Sequence, residues 1–86
     1  MDAAERVTLR SSHGDSGEAR LRNVSTFGCA LQCDASWLRT GLFVEIALND
    51  EWKVAGILRW VRGGKAGTEF LRPISQDDAA LLSGGE

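Results

Sequence analysis

The sequence predicts an all-β fold, a small barrel or sandwich, on two observations. Turn signals recur at short intervals along the 86 residues, namely HGDSG at 13–17, RTG at 39–41, ND at 49–50 and RGGK at 62–65. Between these turns lie short runs of β-branched, aromatic and other apolar residues, and ten glycines with one proline punctuate the chain. Regularly spaced short strands of this kind are typical of sandwiches and barrels.

Alternation of apolar and polar residues places the strands. We expect them at Val7–Ser11, Glu18–Val24, Cys29–Gln32, Phe43–Leu48, Trp52–Val61 and Ala66–Phe70. In the second strand Ala19 and Leu21 face inward, whereas Arg20 and Arg22 face outward. Val24 then falls on the arginine face, so the alternation fails at positions 23–24 and predicts a bulge or a strand end there.

The longest strand and its surroundings predict several core positions. Alternation puts Val54, Gly56, Leu58 and Trp60 on one face, and we interpret Trp60, together with Phe70, as core. Gly56 within that face indicates a bend or a close backbone approach. The glycine pair at 63–64 predicts a hairpin turn. A helical turn is expected at 36–38, and the tryptophans at 37 and 52, which flank turns, are expected to be partly exposed.

After Pro73 the pattern becomes helical. Ser75 is a good N-cap, and Asp77 and Asp78 suit the first turn of a helix over 75–82 whose leucines pack on the barrel. The chain is thus predicted to be one domain over 1–86, with a flexible N-terminus at 1–5, a barrel over 7–70 and a frayed tail at 83–86.

Composition and charge exclude several function classes. The net charge of −2 and the pI of about 5.3 argue against non-specific nucleic-acid binding. No apolar run is long enough for a membrane span and the N-terminus lacks a secretory signal, so a cytoplasmic location is expected. Cys29 and Cys33 are expected to be ordinary reduced thiols, and two cysteines with one histidine cannot complete a four-ligand zinc site.

Catalysis finds little support in the sequence. His13 lies between turn residues and is interpreted as a solvated loop histidine. No nucleophile has an evident base nearby, so we expect neither an enzyme nor catalytic or metal-binding residues.

The residues that indicate ligand binding are Arg6 and Arg10, four positions apart, and an Asn23-x-Ser25-x-x-Gly28 corner. Guanidinium groups bind phosphate bidentately and match the acceptor edge of guanine. A short amide or hydroxyl at a corner supplies fixed hydrogen bonds, and glycine permits close backbone approach.

The RxxxR pair followed by [D/N]xSxxG resembles the signature of PilZ domains, bacterial receptors for cyclic di-GMP. The segments GILRWV and AGTEF, joined by a glycine hairpin, also resemble the last two strands of that family. The resemblance covers about 6–74. It implies a six-stranded antiparallel barrel with a short C-terminal helix, on whose surface Arg6 and Arg10 clamp the nucleotide, Asn23 and Ser25 hydrogen-bond it and Gly28 keeps the corner open. It also implies that ligand occupancy is transmitted to an unidentified protein partner, without a cofactor.

Several alternatives remain open. In the family the arginine motif precedes the first strand, but here only twelve residues separate Arg10 from Asn23. If Val7–Ser11 is the first strand, Arg6 matches the second arginine of the motif and Asp2 stands at the first. Arg20 and Arg22 either supply the missing charge or form a solvated outer face. A degenerate barrel that acts only through protein contacts, with a purely structural corner, is the main alternative function. A small nucleic-acid-binding barrel is disfavoured by the acidic pI and the lack of clustered aromatics.

Overall fold

The computed structural model describes residues 6–48 and 52–82, without the side chains of 81 and 82. Within these residues the chain forms a closed antiparallel barrel of six strands and one helix, which confirms the predicted fold class. The elements are β1 (Arg6–Ser11), β2 (Ser16–Val24), β3 (Gly28–Gln32), β4 (Phe43–Ala47), β5 (Lys53–Arg62), β6 (Lys65–Phe70) and α1 (Gln76–Leu82).

The strand order around the barrel is β1-β2-β3-β6-β5-β4, and β1 pairs with β4 to close it. Each of the first five strands contributes one fully buried aliphatic side chain to the interior, namely Leu9, Leu21, Leu31, Ile46 and Leu58. Burying one such side chain contributes about 1.5–3 kcal/mol. The inward positions of the alternating pattern therefore form one continuous core.

A bulge interrupts the β2–β3 ladder at the position where the sequence pattern fails. Leu21 pairs with Leu31 and Val24 pairs with Cys29, so three steps on β2 match two steps on β3. The extra residue brings Val24 inward, where it packs against the core, and leaves Asn23 exposed. The predicted bulge is confirmed, and β2 ends directly after it.

A second bulge in β5 makes one core prediction wrong. Leu58 pairs with Thr68, but Trp60, not Arg59, pairs with Gly67. The added residue reverses the alternation, so Val61 packs against the core while Trp60 lies on the outer surface with 43% of its area exposed. The interpretation of Phe70 as core is confirmed, since that ring is 95% buried.

Glycines meet two different structural needs in β5 and the turn that follows it. Gly63 and Gly64 have φ angles of 55° and 83°, which suit the left-handed positions of a two-residue hairpin turn. Gly56 instead lies against β6, where an added Cβ would approach Thr68 Cγ2 to 2.6 Å and the Glu69 carbonyl oxygen to 2.8 Å. The predicted hairpin and the predicted close approach are both confirmed.

The C-terminal helix begins as expected. The Asp78 amide donates to the Ser75 hydroxyl at 3.0 Å, and Ala79 N donates to the Ser75 carbonyl at 2.9 Å, so Ser75 is the N-cap. The helix packs near β2. The leucine side chains of the helix, the N-terminus at 1–5 and the tail at 83–86 lie outside what the structure describes.

The remaining aromatic predictions concern the connection before β4 and the start of β5. At the position of the expected helical turn, 36–38, the structure has a turn at 36–37. Trp37 and Trp52 are partly exposed, as predicted, and both pack against the core. In the described parts of the chain, no helix has the length and apolar character needed to cross a bilayer.

Candidate functional site

The corner between β2 and β3 is organised by the Ser25 hydroxyl. Ser25 Oγ accepts hydrogen bonds from the Phe27 amide at 3.1 Å and from the Gly28 amide at 3.3 Å. The Ser25 amide donates to the Gly28 carbonyl at 2.9 Å. Serine is favoured at such corners because its side chain satisfies local backbone donors. Ser25 therefore has a complete structural role before any ligand is considered.

The same corner holds the end of β6 and the segment before the helix. Phe70 N donates to the Phe27 carbonyl, and Ile74 N donates to the Thr26 carbonyl, each at 2.8 Å. These bonds connect the corner to the chain that leads into α1. A change in the backbone of residues 25–28 would be felt directly at the C-terminal segment.

Gly28 is required by its neighbour strand. It pairs with Glu69 across the β3–β6 ladder, and an added Cβ would collide with the carbonyl oxygen of Thr68. Its φ angle does not lie in the left-handed region. The glycine thus serves close strand packing at this point of the barrel wall, a need that the sequence pattern did not distinguish from a ligand-facing role.

A surface groove of about 480 Å³ lies beside the corner on the outside of β3, β6 and β5. Small residues form its floor: Gly28 and Ala30 on β3, and Gly67 on β6. Asn23 and Ser25 stand at one edge and Trp60 at another. A groove of this volume falls within the range of small-ligand sites.

Trp60 is the residue of this groove that sequence reasoning missed. Its indole lies directly over Gly67, so a Cβ at that glycine would approach Trp60 Cδ1 and Cε2 to 2.6 Å. The bulge in β5 brings the ring outward, and the bare glycine leaves room for it to lie on the wall. The sequence signal for this contact is a tryptophan on one strand opposite a glycine on the next. It can be recognised only when the register of the two strands is known.

Phe27 adds a second exposed aromatic ring to the groove, with 67% of its area in contact with solvent. Arg59 and Glu69 supply its charges. Their side chains form an ion pair, Nε to Oε1, at 2.6 Å, and both are more than half exposed. The pair leaves the groove without net charge from these two residues, and at this exposure it contributes less than about 1 kcal/mol to stability.

Beneath the groove floor, Cys29 and Thr68 face each other on the inner side of the β3–β6 pair. Burial raises the pKa of the Cys29 thiol to about 12, and the Thr68 side chain offsets part of that rise. Thr68 Oγ1 is buried and has no partner of hydrogen-bond geometry among the described residues. Cys33 is buried as well, and neither cysteine forms a disulfide. Both are free thiols, as the sequence predicts, and the structure places them in the core.

The two arginines of the RxxxR pair lie apart from the groove. Arg6 pairs with Arg20 on β2, and Arg10 pairs with Ser16. At about 3.3 Å per residue, Arg20 lies about 10 Å along the strand from Asn23 and Ser16 lies about 23 Å from it. An arginine side chain extended from Arg6 can approach the Asn23 edge of the groove, whereas one from Arg10 cannot.

Both arginines instead make weak ion pairs on the outer wall. Arg6 Nη1 lies 3.9 Å from Glu18, and Arg10 Nη1 lies 4.0 Å from Glu45. Arg10 lines a separate depression with Phe43 on β4. The structure therefore brings Asn23, Ser25 and Gly28 together at one groove. Arg6 lies on the strand next to β2, and Arg10 lies outside the groove.

No protein-family model matches the chain, and no curated protein sequence matches it either.

Proposed function

We propose that this protein is a cyclic di-GMP-binding signalling domain whose ligand occupies the groove beside the β2–β3 corner. The observation that carries the proposal is that the three corner residues, Asn23, Ser25 and Gly28, line the same groove as the exposed indole of Trp60. This arrangement adds an aromatic surface to the corner whose sequence resembles that of PilZ domains.

Stacking on Trp60 would hold one guanine of the ligand. One face of the indole lies on the Gly67 backbone, so the ring is supported from below and offers its other side to the groove. Stacking of a base on an aromatic side chain contributes about 1–3 kcal/mol. Gly67 lies under the indole, so the room beside the ring is that over Gly28 and Ala30.

Hydrogen bonding at the corner would orient the ligand. Asn23 is exposed on the bulge, and its amide offers both donors and an acceptor to the edge of a base. The Ser25 hydroxyl already accepts two backbone hydrogen bonds, and its own proton is directed to the Gly28 carbonyl at a long 3.4 Å. We assign Asn23 the direct contact and Ser25 the support of the corner.

Transmission to a protein partner would pass through the corner carbonyls. Thr26 and Phe27 accept the backbone hydrogen bonds of Ile74 and Phe70. A ligand that shifts the corner would change the docking of the segment that leads into α1. This gives ligand occupancy a physical connection to a second surface, with no chemistry on the nucleotide.

Calorimetric titration of the full chain with cyclic di-GMP tests the proposal. Trp60→Ala should weaken binding about 5-fold to 150-fold, the equivalent of losing one stacked base. Arg10→Ala is the matched control, because Arg10 lies on the same barrel wall but outside the groove, and it should bind as wild type does. Absence of heat and of NMR shifts at high micromolar ligand would refute the receptor function.

A second candidate is a barrel that acts through protein contacts alone. The observation that favours it is the exposure of two aromatic rings, Phe27 and Trp60, at one groove. Exposed tryptophans are frequent binding hot spots. In that case a partner captured from lysate would be retained whether or not nucleotide is added, and Phe27→Ala would release it. Phe43→Ala removes a similarly exposed ring from β4 and serves as the control.

A further inference from the structure

The strand registers align basic side chains in one row around the barrel wall. Arg6 pairs with Arg20, Arg20 with Gln32, Gln32 with Lys65, and Lys65 with Arg62. The row thus crosses β1, β2, β3, β6 and β5 at one level, and each of its side chains is exposed. At about 4.8 Å between neighbouring strands, it follows the curved barrel wall for about 19 Å. We call these five residues the basic row.

The concentration of positive charge in the basic row opposes the stability of the sheet. Like charges directly opposite each other on neighbouring strands are destabilising, and the row contains two such pairs, Arg6 with Arg20 and Arg62 with Lys65. The chain as a whole carries a net charge of −2, so this clustering is not a consequence of a basic composition.

Acidic neighbours compensate the basic row only in part. Glu18 lies 3.9 Å from Arg6, with both side chains more than 60% exposed. Among the described residues, Arg20 and Lys65 form no ion pair. The carboxylate of Asp34 lies against the backbone of Gly64 in the hairpin turn. A Cβ added at Gly64 would lie 2.7 Å from Asp34 Oδ1.

The basic row also has a concave part. Arg6, Arg20 and Gln32 line a depression of about 330 Å³ together with Glu18 and Asp34. Its two guanidinium groups are balanced by the two carboxylates, so the depression carries no net charge. The guanidinium groups and the amide nevertheless offer several hydrogen-bond donors to phosphate oxygens.

The basic row adjoins the groove that holds Trp60. The outward residues of the groove, Ala30, Gly67 and Trp60, lie two positions along their strands from Gln32, Lys65 and Arg62. Two residues of a strand span about 7 Å. A phosphate attached to a nucleoside whose base lies on Trp60 can therefore reach the basic row without any loop closing over it.

We propose that the basic row is a phosphate-binding site. In this chain it would bind the phosphates of a nucleotide whose base lies in the groove, the role that the resemblance gives to the arginine pair. The inference rests on the proposed function for the identity of the nucleotide, but the phosphate chemistry stands on the basic row itself. Arg20 and Lys65 are its central cations, since they flank Gln32 on the strands on either side of β3, which carries part of the groove floor. Arg10 has no part in it.

The test uses the full chain and three probes: cyclic di-GMP, guanosine and inorganic pyrophosphate. Arg20→Gln and Lys65→Gln should each weaken cyclic di-GMP about threefold and together about tenfold, as expected for exposed charge contacts. Arg10→Gln, which removes an exposed cation from β1, should have no effect. At 1 M salt, where the screening length falls to about 3 Å, the difference between wild type and the double variant should vanish.

The two additional probes separate the phosphate from the base. Pyrophosphate should shift the amide signals of the basic row in wild type and not in the double variant, whereas binding of guanosine should be equal in both. If cyclic di-GMP binds the double variant as tightly as wild type, the inference is wrong and the proposed function stands. If cyclic di-GMP fails to bind but pyrophosphate binds in the basic row, the phosphate site stands and the proposed function fails. If neither cyclic di-GMP nor pyrophosphate binds the wild-type protein, the inference and the proposed function are both wrong.

Discussion

Replacing Gly28 with alanine would place a methyl group against the carbonyl oxygen of Thr68. The clash is with backbone, and the two strands that meet there are paired along their lengths, from Gly28 with Glu69 to Gln32 with Lys65. Neither partner can turn away as a side chain would. The ladder between β3 and β6 must shift by several tenths of an ångström or lose hydrogen bonds.

The expected cost follows from overpacking of a rigid site. Inserting one methyl group where the surroundings cannot relax costs about 1–3 kcal/mol, and the contact with backbone places Gly28→Ala at about 2–3 kcal/mol. A domain of this size has a total unfolding free energy of about 4–13 kcal/mol. The melting temperature should fall by about 8–24 °C, since 1 kcal/mol corresponds to about 4–8 °C in a domain of 60–100 residues.

Thermal and urea unfolding followed by far-UV circular dichroism measure this effect without ligand. Gly17→Ala is the matched control, because Gly17 also lies in a strand, has no left-handed φ angle, and would place its Cβ at an ordinary 3.7 Å from Trp37. That variant should be neutral or stabilised by up to about 1 kcal/mol. A Gly28→Ala protein as stable as Gly17→Ala would refute a packing role for Gly28.

Three further predictions concern the corner and the groove. Ser25→Ala should cost about 1 kcal/mol and accelerate hydrogen exchange at the amides of Phe27 and Gly28, which lose their acceptor. Cys29 has a pKa of about 12 in the folded state and about 9 when exposed, so the folded state retains its proton longer. Its contribution to stability is complete below pH 9 and declines between pH 9 and 12, with a slope of up to about 1.4 kcal/mol per pH unit. Cys29→Ala should abolish that slope in urea titrations at graded pH, and an unchanged slope would contradict the assignment. Glu69→Gln removes a negative charge from the groove and should tighten cyclic di-GMP binding severalfold at low salt; weaker binding would mean that the carboxylate contacts the ligand.

Most of the fold follows from local patterns. Alternation located each strand to within two residues, because one face of every strand packs on the core and the other meets solvent. The glycine pair at 63–64 and the cap at Ser75 were also predictable, because each satisfies a requirement of the local backbone. The failed alternation at positions 23–24 predicted a bulge or a strand end, and the structure has both.

The bulge in β5 shows where this reasoning ends. Trp60 and Val61 are both apolar, so the sequence allows either side chain to face the core. Which of the two does so depends on the pairing with β6. The register exposes Trp60 over Gly67 and buries Val61 against the core. Without that register the aromatic surface of the groove was not predictable.

The sequence by itself determined that this chain is a small all-β domain with a serine-glycine corner between its second and third strands. The local chemistry of hydrophobic alternation, turns and caps is sufficient for that. Only the tertiary structure decided which side chains share a surface. It separated Arg10 from the corner, joined Trp60 to it and aligned Arg20 with Lys65, because these relations depend on strand order and on two bulges that shift the register by one residue.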